Sequence, residues 1–307
     1  MRRFLSFLLL LSLCSCDEEP AKPTPAAEPR AAVAPEIIDT PDFNGHNAYA
    51  HCDFICSLGP RYSGSPAYEQ QLSYLEKHLQ EYGWQTERTP FTAPNGVRMC
   101  NLRAFRTPEP CPLLLSCHID TKINVARDFV SADDGASGAA VLLELARTLQ
   151  DKRVELIFLD GEEAFARSMS ETDGLYGSRF DVRRRGTRLP RWQINLDMVG
   201  GRNKTIAIPM LDTSDSMYAQ YTAAIRAAGV SEEHWTVWPG SYMDDHLPYL
   251  EAGVESLNLI AAFVGSNWWH TTRDNMDRIC PRSLHESGCV TRQLINQLLS
   301  EAAADAP

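Results

Sequence analysis

The chain has 307 residues, 44% of them hydrophobic, which is enough for the full-sized core of a single α/β enzyme. Its formal net charge of −11 weighs against nucleic acid or a bare anionic membrane as a partner, and leaves the substrate open.

The first residues read as a targeting segment. Arg2 and Arg3 precede an apolar run from Phe4 to Leu13 that is too short to span a bilayer as a stable helix. Leu13-Cys14-Ser15-Cys16 then resembles a bacterial lipobox, which implies that Cys16 is lipidated; an ordinary signal peptide with two incidental cysteines is the plainer alternative. Residues 17–41 are rich in Pro and Ala with scattered charge, cannot bury enough apolar surface to fold, and read as a tether. The expected organisation is a signal peptide over 1–16, a linker over 17–41 and a catalytic domain over 42–307. That implies an exported protein, periplasmic or on the cell surface, held to the membrane through Cys16. Beyond Cys14 and Cys16 the cysteines are Cys52, Cys56, Cys100, Cys111, Cys117, Cys280 and Cys289. Export permits disulfides, but the sequence does not reveal pairing, and no CxxC zinc pattern occurs.

In chain order, Ser65 to Gly83 predicts a helix: Ser65 can cap it, Pro66 suits its first turn and Gly83 its end. Tyr68, Leu72, Leu75, Leu79 and Tyr82 share one face, while His78 on this helix reads as solvated. Leu113–Ser116 is a strand candidate, Ala136–Leu149 a helix, and Val154–Leu159 a strand. Gln193–Leu196, Thr205–Ile208 and Ser256–Ile260 are further strands; Ser214–Ala228 and Ser283–Ala302 are helices. Strands alternating with helices predict an α/β fold, a sheet covered on both faces with its site at the carboxyl ends of the strands.

Acidic and imidazole groups collect at those ends. His118 and Asp120 follow the first strand, Glu162 and Glu163 the next, and Asp197 the one after. Asp133-Asp134 precedes the Ala136 helix, Asp244-Asp245-His246 precedes the Ser256 strand, and His270 follows it. Taken singly, a carboxylate before a helix is ordinarily a cap, a Glu-Glu pair solvated, and a lone His structural. Their joint occurrence at one rim is different: buried charges are costly unless paired or metal-bound, and a His/Asp/Glu set without thiolates suits zinc.

The order His-x-Asp, Asp-Asp-x-x-Ser-Gly, Glu-Glu, Asp, Asp-His, His resembles the zinc-dependent peptidase family that includes bacterial aminopeptidases and the animal-type glutaminyl cyclases. The resemblance spans Gly59 to Ile279 and implies a mixed, mostly parallel central sheet flanked by helices. Aminopeptidases of this kind hold two zinc ions, with ligands that would map onto His118, Asp134, Glu163, Asp197 and His270. Cyclases hold one zinc, through Asp134, Glu163 and His270. Several stretches resemble the cyclase branch: Phe158 to Phe165 (FLDGEEAF) with Asp173 to Arg179, Asp244-Asp245-His246-Leu247-Pro248-Tyr249-Leu250, Trp269-His270-Thr271 with Asp274-Asn275, and Gly59-Pro60-Arg61 with Gly64-Ser65-Pro66. Two departures stand out. The loop Arg167-Ser168-Met169-Ser170 lacks the substrate-flanking Trp of cyclases. The cysteine pair of the animal enzymes is replaced near Ala139 and Ala164.

The resemblance implies one zinc per chain and closure of an N-terminal glutamine of a peptide or protein to pyroglutamate, with loss of ammonia. Glu162 would shuttle the proton, Asp244 and Asp197 would support it, and Trp269 and Tyr242 would line the pocket. His118 would serve a second metal or a supporting role. The alternatives are a dinuclear aminopeptidase of the same family, and a non-enzymatic surface binding protein on a peptidase scaffold.

Overall fold

The structure is a computed structural model and describes residues 40–107 and 110–304. The expected targeting segment, the lipobox cysteine and the linker as far as residue 39 lie outside the described residues. The elements in order are α1 (Gly45–Ser57), α2 (Pro66–Glu81), β1 (Gln85–Thr92), β2 (Arg98–Phe105), β3 (Leu113–His118), α3 (Gly138–Thr148), β4 (Val154–Leu159) and α4 (Tyr176–Arg185). They continue with β5 (Trp192–Asp197), β6 (Ile206–Pro209), α5 (Asp215–Ala228), β7 (Trp235–Trp238), α6 (Leu247–Glu251), β8 (Glu255–Ile260) and α7 (Pro281–Ala304).

Six strands form one sheet in the order β1-β2-β4-β3-β5-β8. β1 and β2 form an antiparallel hairpin, and β2 meets β4 antiparallel. The β4-β3, β3-β5 and β5-β8 pairs are parallel. The expected mixed, mostly parallel sheet is therefore present. The Thr205–Ile208 strand exists as β6, but it pairs with β7 in a separate two-stranded sheet.

Burial explains why these runs are strands. Leu113, Leu115, Val154, Leu156 and Phe158 face the large core packed by α1, α2, α3 and α7. Leu114, Ile157 and Leu159, the intervening residues, face a smaller core with Tyr249 and Val254. Alternate side chains thus serve opposite faces, and a strand buried on both reads as a continuous apolar run. In α2 the Ser65 hydroxyl accepts from Tyr68 N at 3.1 Å, and Gly83 follows with φ +80°. His78 is not simply solvated: its ring packs edge-on to His51 at 5.2 Å and to Tyr74 at 4.5 Å. All seven cysteines of the described residues are free thiols. Ala139 and Ala164, both buried, carry no thiol, so no bridge links those positions.

The parallel strands set the site. β4 and β5 flank β3 on opposite sides, so the crossover direction reverses at β3, and the connections leaving the carboxyl ends of β3, β4, β5 and β8 face a common crevice.

Candidate active site

The crevice is a cavity of about 1010 Å³ whose lining includes Asp134, Glu162, Glu163, Asp197, Asp244 and His270, with Tyr242 and Trp269 on its wall. Every residue expected as ligand, acid/base or pocket wall except His118 reaches this lining, whereas Asp120, Asp133, Asp245 and His246 do not; His118 is buried, in contact with Asp134 and Asp197.

Backbone geometry aims the carboxylates. Asp133 and Asp134 do not cap α3; they ride a π-type turn over Ala132–Ser137 that Ser131 enters with φ +49°. Gly135 has φ +96°, and a Cβ there would stand 3.0 Å from Asp120 O and 3.1 Å from His118 Cε1. Only glycine lets the turn pass so close to the end of β3. The Asp274 carboxylate accepts from Asp133 N at 2.8 Å and from Asp134 N at 3.1 Å. Asp133 itself is turned away, held by Gly200 N at 2.8 Å and Arg278 Nε at 3.0 Å. Past β4, the Asp120 carboxylate accepts from Glu162 N at 3.1 Å and Glu163 N at 3.2 Å, so one side chain orients both glutamates. His270 completes the rim with φ +52° and stacks on Trp269 at 3.9 Å.

The ligand-type atoms converge in two overlapping sets, Asp134 with Glu163 and His270, and Asp134 with His118 and Asp197. In the first, His270 Nε2 lies 2.9 Å from Glu163 Oε1 and 3.4 Å from Asp134 Oδ2. In the second, His118 Nε2 lies 3.1 Å from Asp134 Oδ1 and 3.2 Å from Asp197 Oδ1. Asp134 Oδ2 is buried without a hydrogen-bond donor, and such an orphaned acceptor beside an imidazole and a second carboxylate fits a zinc ligand set.

The electrostatics follow from burial and crowding. Burial pushes Glu162 well above the ordinary carboxylate range; His118 opposes this, and Glu163 and Asp244 add to it. Asp197 is raised in the same way by burial and by Asp244, against the pull of His118. Burial works against charge on His270, but its contacts with Asp134 and Glu163 prevail and raise it to about 9. Burial would raise Asp134, but His118 and His270 hold it well below the usual range. Burial thus raises Glu162 while the two imidazoles hold Asp134 down, a division suited to one proton carrier and one ligand.

Several working residues escape a reading of the sequence. Lys122 Nζ binds Glu163 Oε2 at 3.2 Å and Ala164 O at 2.8 Å, steadying the expected ligand. Asp244 accepts from Asn195 Nδ2 at 3.1 Å and Asn258 Nδ2 at 2.7 Å. Both asparagines sit inside β5 and β8, and a polar residue within an otherwise apolar strand was the available signal. Asp245 points elsewhere, to Ser178 Oγ at 2.5 Å. Where cyclases carry the flanking Trp, Arg167, Ser168 and Met169 form the cavity wall.

Residues 103–295 match the model of Peptidase family M28. The chain belongs to that family. Among M28-like relatives, the glutaminyl-peptide cyclotransferase-like protein of Bos taurus is 31% identical over 264 residues, which cover 73% of this chain and 68% of that protein. The structure of Porphyromonas gingivalis glutaminyl cyclase superposes with a TM-score of 0.75 at 26% identity, covering 84% of this chain and 100% of that one. Glutaminyl cyclase from an Acidobacteriales bacterium gives a TM-score of 0.73 at 26% identity, over 87% of this chain and 98% of that one. The family and fold expected from the motif order are thereby borne out.

Proposed function

We propose that this M28 chain is a glutaminyl-peptide cyclotransferase, an acyltransferase that closes an N-terminal glutamine to pyroglutamate and releases ammonia, with one zinc held by Asp134, Glu163 and His270. The observation that carries the reading is that these three converge on the cavity beside a buried glutamate, Glu162, positioned to carry a proton. Its support is the cyclase identity of the relatives.

Zinc at these ligands would supply Lewis-acid polarisation of the γ-amide carbonyl. The chain's own residues do the rest. The α-amine forms a bond to the γ-amide carbon and the bond from that carbon to the amide nitrogen breaks. Glu162 accepts the amine's proton and delivers one to the leaving nitrogen, which departs as ammonia. Asp197 and Asp244 stand beside Glu162 in the cavity and keep that proton local. Trp269 and Tyr242 wall the pocket and would pack against the side chain of the substrate.

The dinuclear aminopeptidase remains the second reading because His118, Asp134 and Asp197 form the other ligand set. The cyclase names of the relatives favour the first reading over this one. The deciding assay gives purified protein Gln-peptides and leucine p-nitroanilide and follows ammonia and nitroaniline separately. Ammonia with about one zinc per chain is expected; nitroaniline with two tightly held zinc ions would transfer the chain to the aminopeptidases.

The domain plan and location belong to the same proposal. The lipobox-like Leu13-Cys14-Ser15-Cys16 supports a lipid anchor at Cys16, a tether over 17–41 and a catalytic domain from 42 acting on peptide or protein N-termini outside the cytoplasm.

A further inference from the structure

The aromatic wall of the cavity does not stop at its mouth. From His270 the rings run to Trp269 at 3.9 Å, to Phe263 at 4.7 Å, to Tyr242 at 5.4 Å and to Trp238 at 5.8 Å. Phe263, Trp269 and Tyr242 line the cavity; Trp238 does not, and lies outside it at the carboxyl end of β7. Trp238 is 37% exposed, and its neighbour across the loop, Leu211, is 75% exposed. Scattered apolar side chains on a surface are ordinary, whereas a continuous path of them leading out of a catalytic cavity marks a contact surface.

The path is built to hold its shape. Trp238 stacks on Tyr242 at an interplanar angle of 15°. It lies over Gly240, where a Cβ would stand 2.7 Å from its Nε1. Met210 N donates to Trp238 O at 2.9 Å and Leu211 N to Gly240 O at 3.2 Å, joining the two loops. The turn between Gly240 and Asp244 is pinned by Asp212, whose Oδ2 contacts Ser241 Oγ at 2.8 Å, Tyr242 N at 3.0 Å and His246 Nε2 at 3.1 Å. A preorganised aromatic shelf lowers the ordering cost of binding.

From this geometry we infer that Trp238, stacked on Tyr242, is a specificity-determining residue that receives the second and third residues of the substrate peptide and selects for large apolar or aromatic side chains there. The inference rests on the cyclotransferase reading, which places the first residue in the cavity. An extended chain advances about 3.3 Å per residue, so two or three residues carry it from Phe263 past Tyr242 to Trp238. The occupant is peptide rather than membrane because the path begins inside the cavity, where only substrate enters.

The test compares ammonia release from short peptides that begin with Gln and carry Phe or Ala at the second or third position. Wild-type kcat/KM should favour Phe by roughly three- to tenfold, mostly through KM, the usual worth of an aromatic contact. Trp238→Ala should bring that ratio to about one, and Trp238→Phe should restore part of it. Gly240→Ala, which displaces the indole without removing it, should also lower the ratio. A wild-type ratio near one, or a ratio unchanged in Trp238→Ala, overturns the inference, as does a Trp238→Ala defect confined to lipid vesicle binding. The affinities of the same peptides for Glu162→Gln, measured by calorimetry, give the Phe-to-Ala ratio without turnover. If no peptide releases ammonia the cyclotransferase reading fails, and the affinity ratio still decides the role of Trp238.

Discussion

Glu162 and Glu163 are neighbours with opposite duties, because Asp120 grips both backbone amides and leaves one side chain toward His270 and the other toward the cavity. Glu162→Gln keeps size and shape but removes the exchangeable proton. We expect zinc content near wild type and turnover lower by roughly a hundredfold or more, read by elemental analysis and ammonia release. Glu163→Gln should lose zinc, and with it the stability that bound metal confers by mass action. Loss of zinc from Glu162→Gln alone would reverse the two roles. His270 brings a pH dependence of definite sign. Its value rises from 6.5 to about 9 in the fold, so in metal-free protein its contact with Asp134 and Glu163 adds stability that is complete below pH 6.5 and is lost as pH climbs through about 9. Zinc needs the neutral ring, so its affinity should rise with pH toward about 9. Competition titrations at several pH values check this; an affinity flat with pH would remove His270 from the ligand set.

At the scale of elements, β5 and β8 do more than fill the sheet. Asn195 and Asn258 are paired across them, and both donate to Asp244. Asn258→Leu leaves a buried carboxylate oxygen without its donor, which should cost about 1–3 kcal/mol of stability in urea unfolding and lower kcat more than it raises KM. An unchanged kcat would make Asp244 a structural residue. The main strands were legible because apolar runs of strand length, such as Val154–Leu159, ended in charged residues. The edge hairpin of β1 and β2 was not: Gln85–Thr92 and Arg98–Phe105 are half polar, and their hydrophobic alternation is broken by Pro90 and the Arg residues. α1 was missed for a related reason, since its apolar positions are small residues and cysteines (Ala48, Cys52, Cys56) that read weakly as a stripe. His118, Glu162, Glu163 and Asp197 could be seen because each stands at or just past a strand end, while Asp134 and His270 were visible only through the motif order. Lys122 and Asp274 could not, because their partners are brought to them by loops far away in sequence.

For the whole molecule, the proposed anchor at Cys16 makes a prediction about fractionation. Cys16→Ser should move the enzyme from the membrane pellet to the soluble fraction while leaving its specific activity on Gln-peptides unchanged; a variant that still pellets would remove the lipid from the account. Among the described residues, the side chains of the site all fall between His118 and His270. The free thiols of the catalytic region have a practical reach. The large core encloses Cys52, Cys56 and Cys117, and burial pushes the Cys117 thiol well up, so that sulfur resists the thiolate chemistry that begins cross-linking. With all seven cysteines of the described residues free, the region from residue 40 should reach the same specific activity when made in a reducing cytoplasm; activity that appears only after oxidative refolding would show that a bridge is needed.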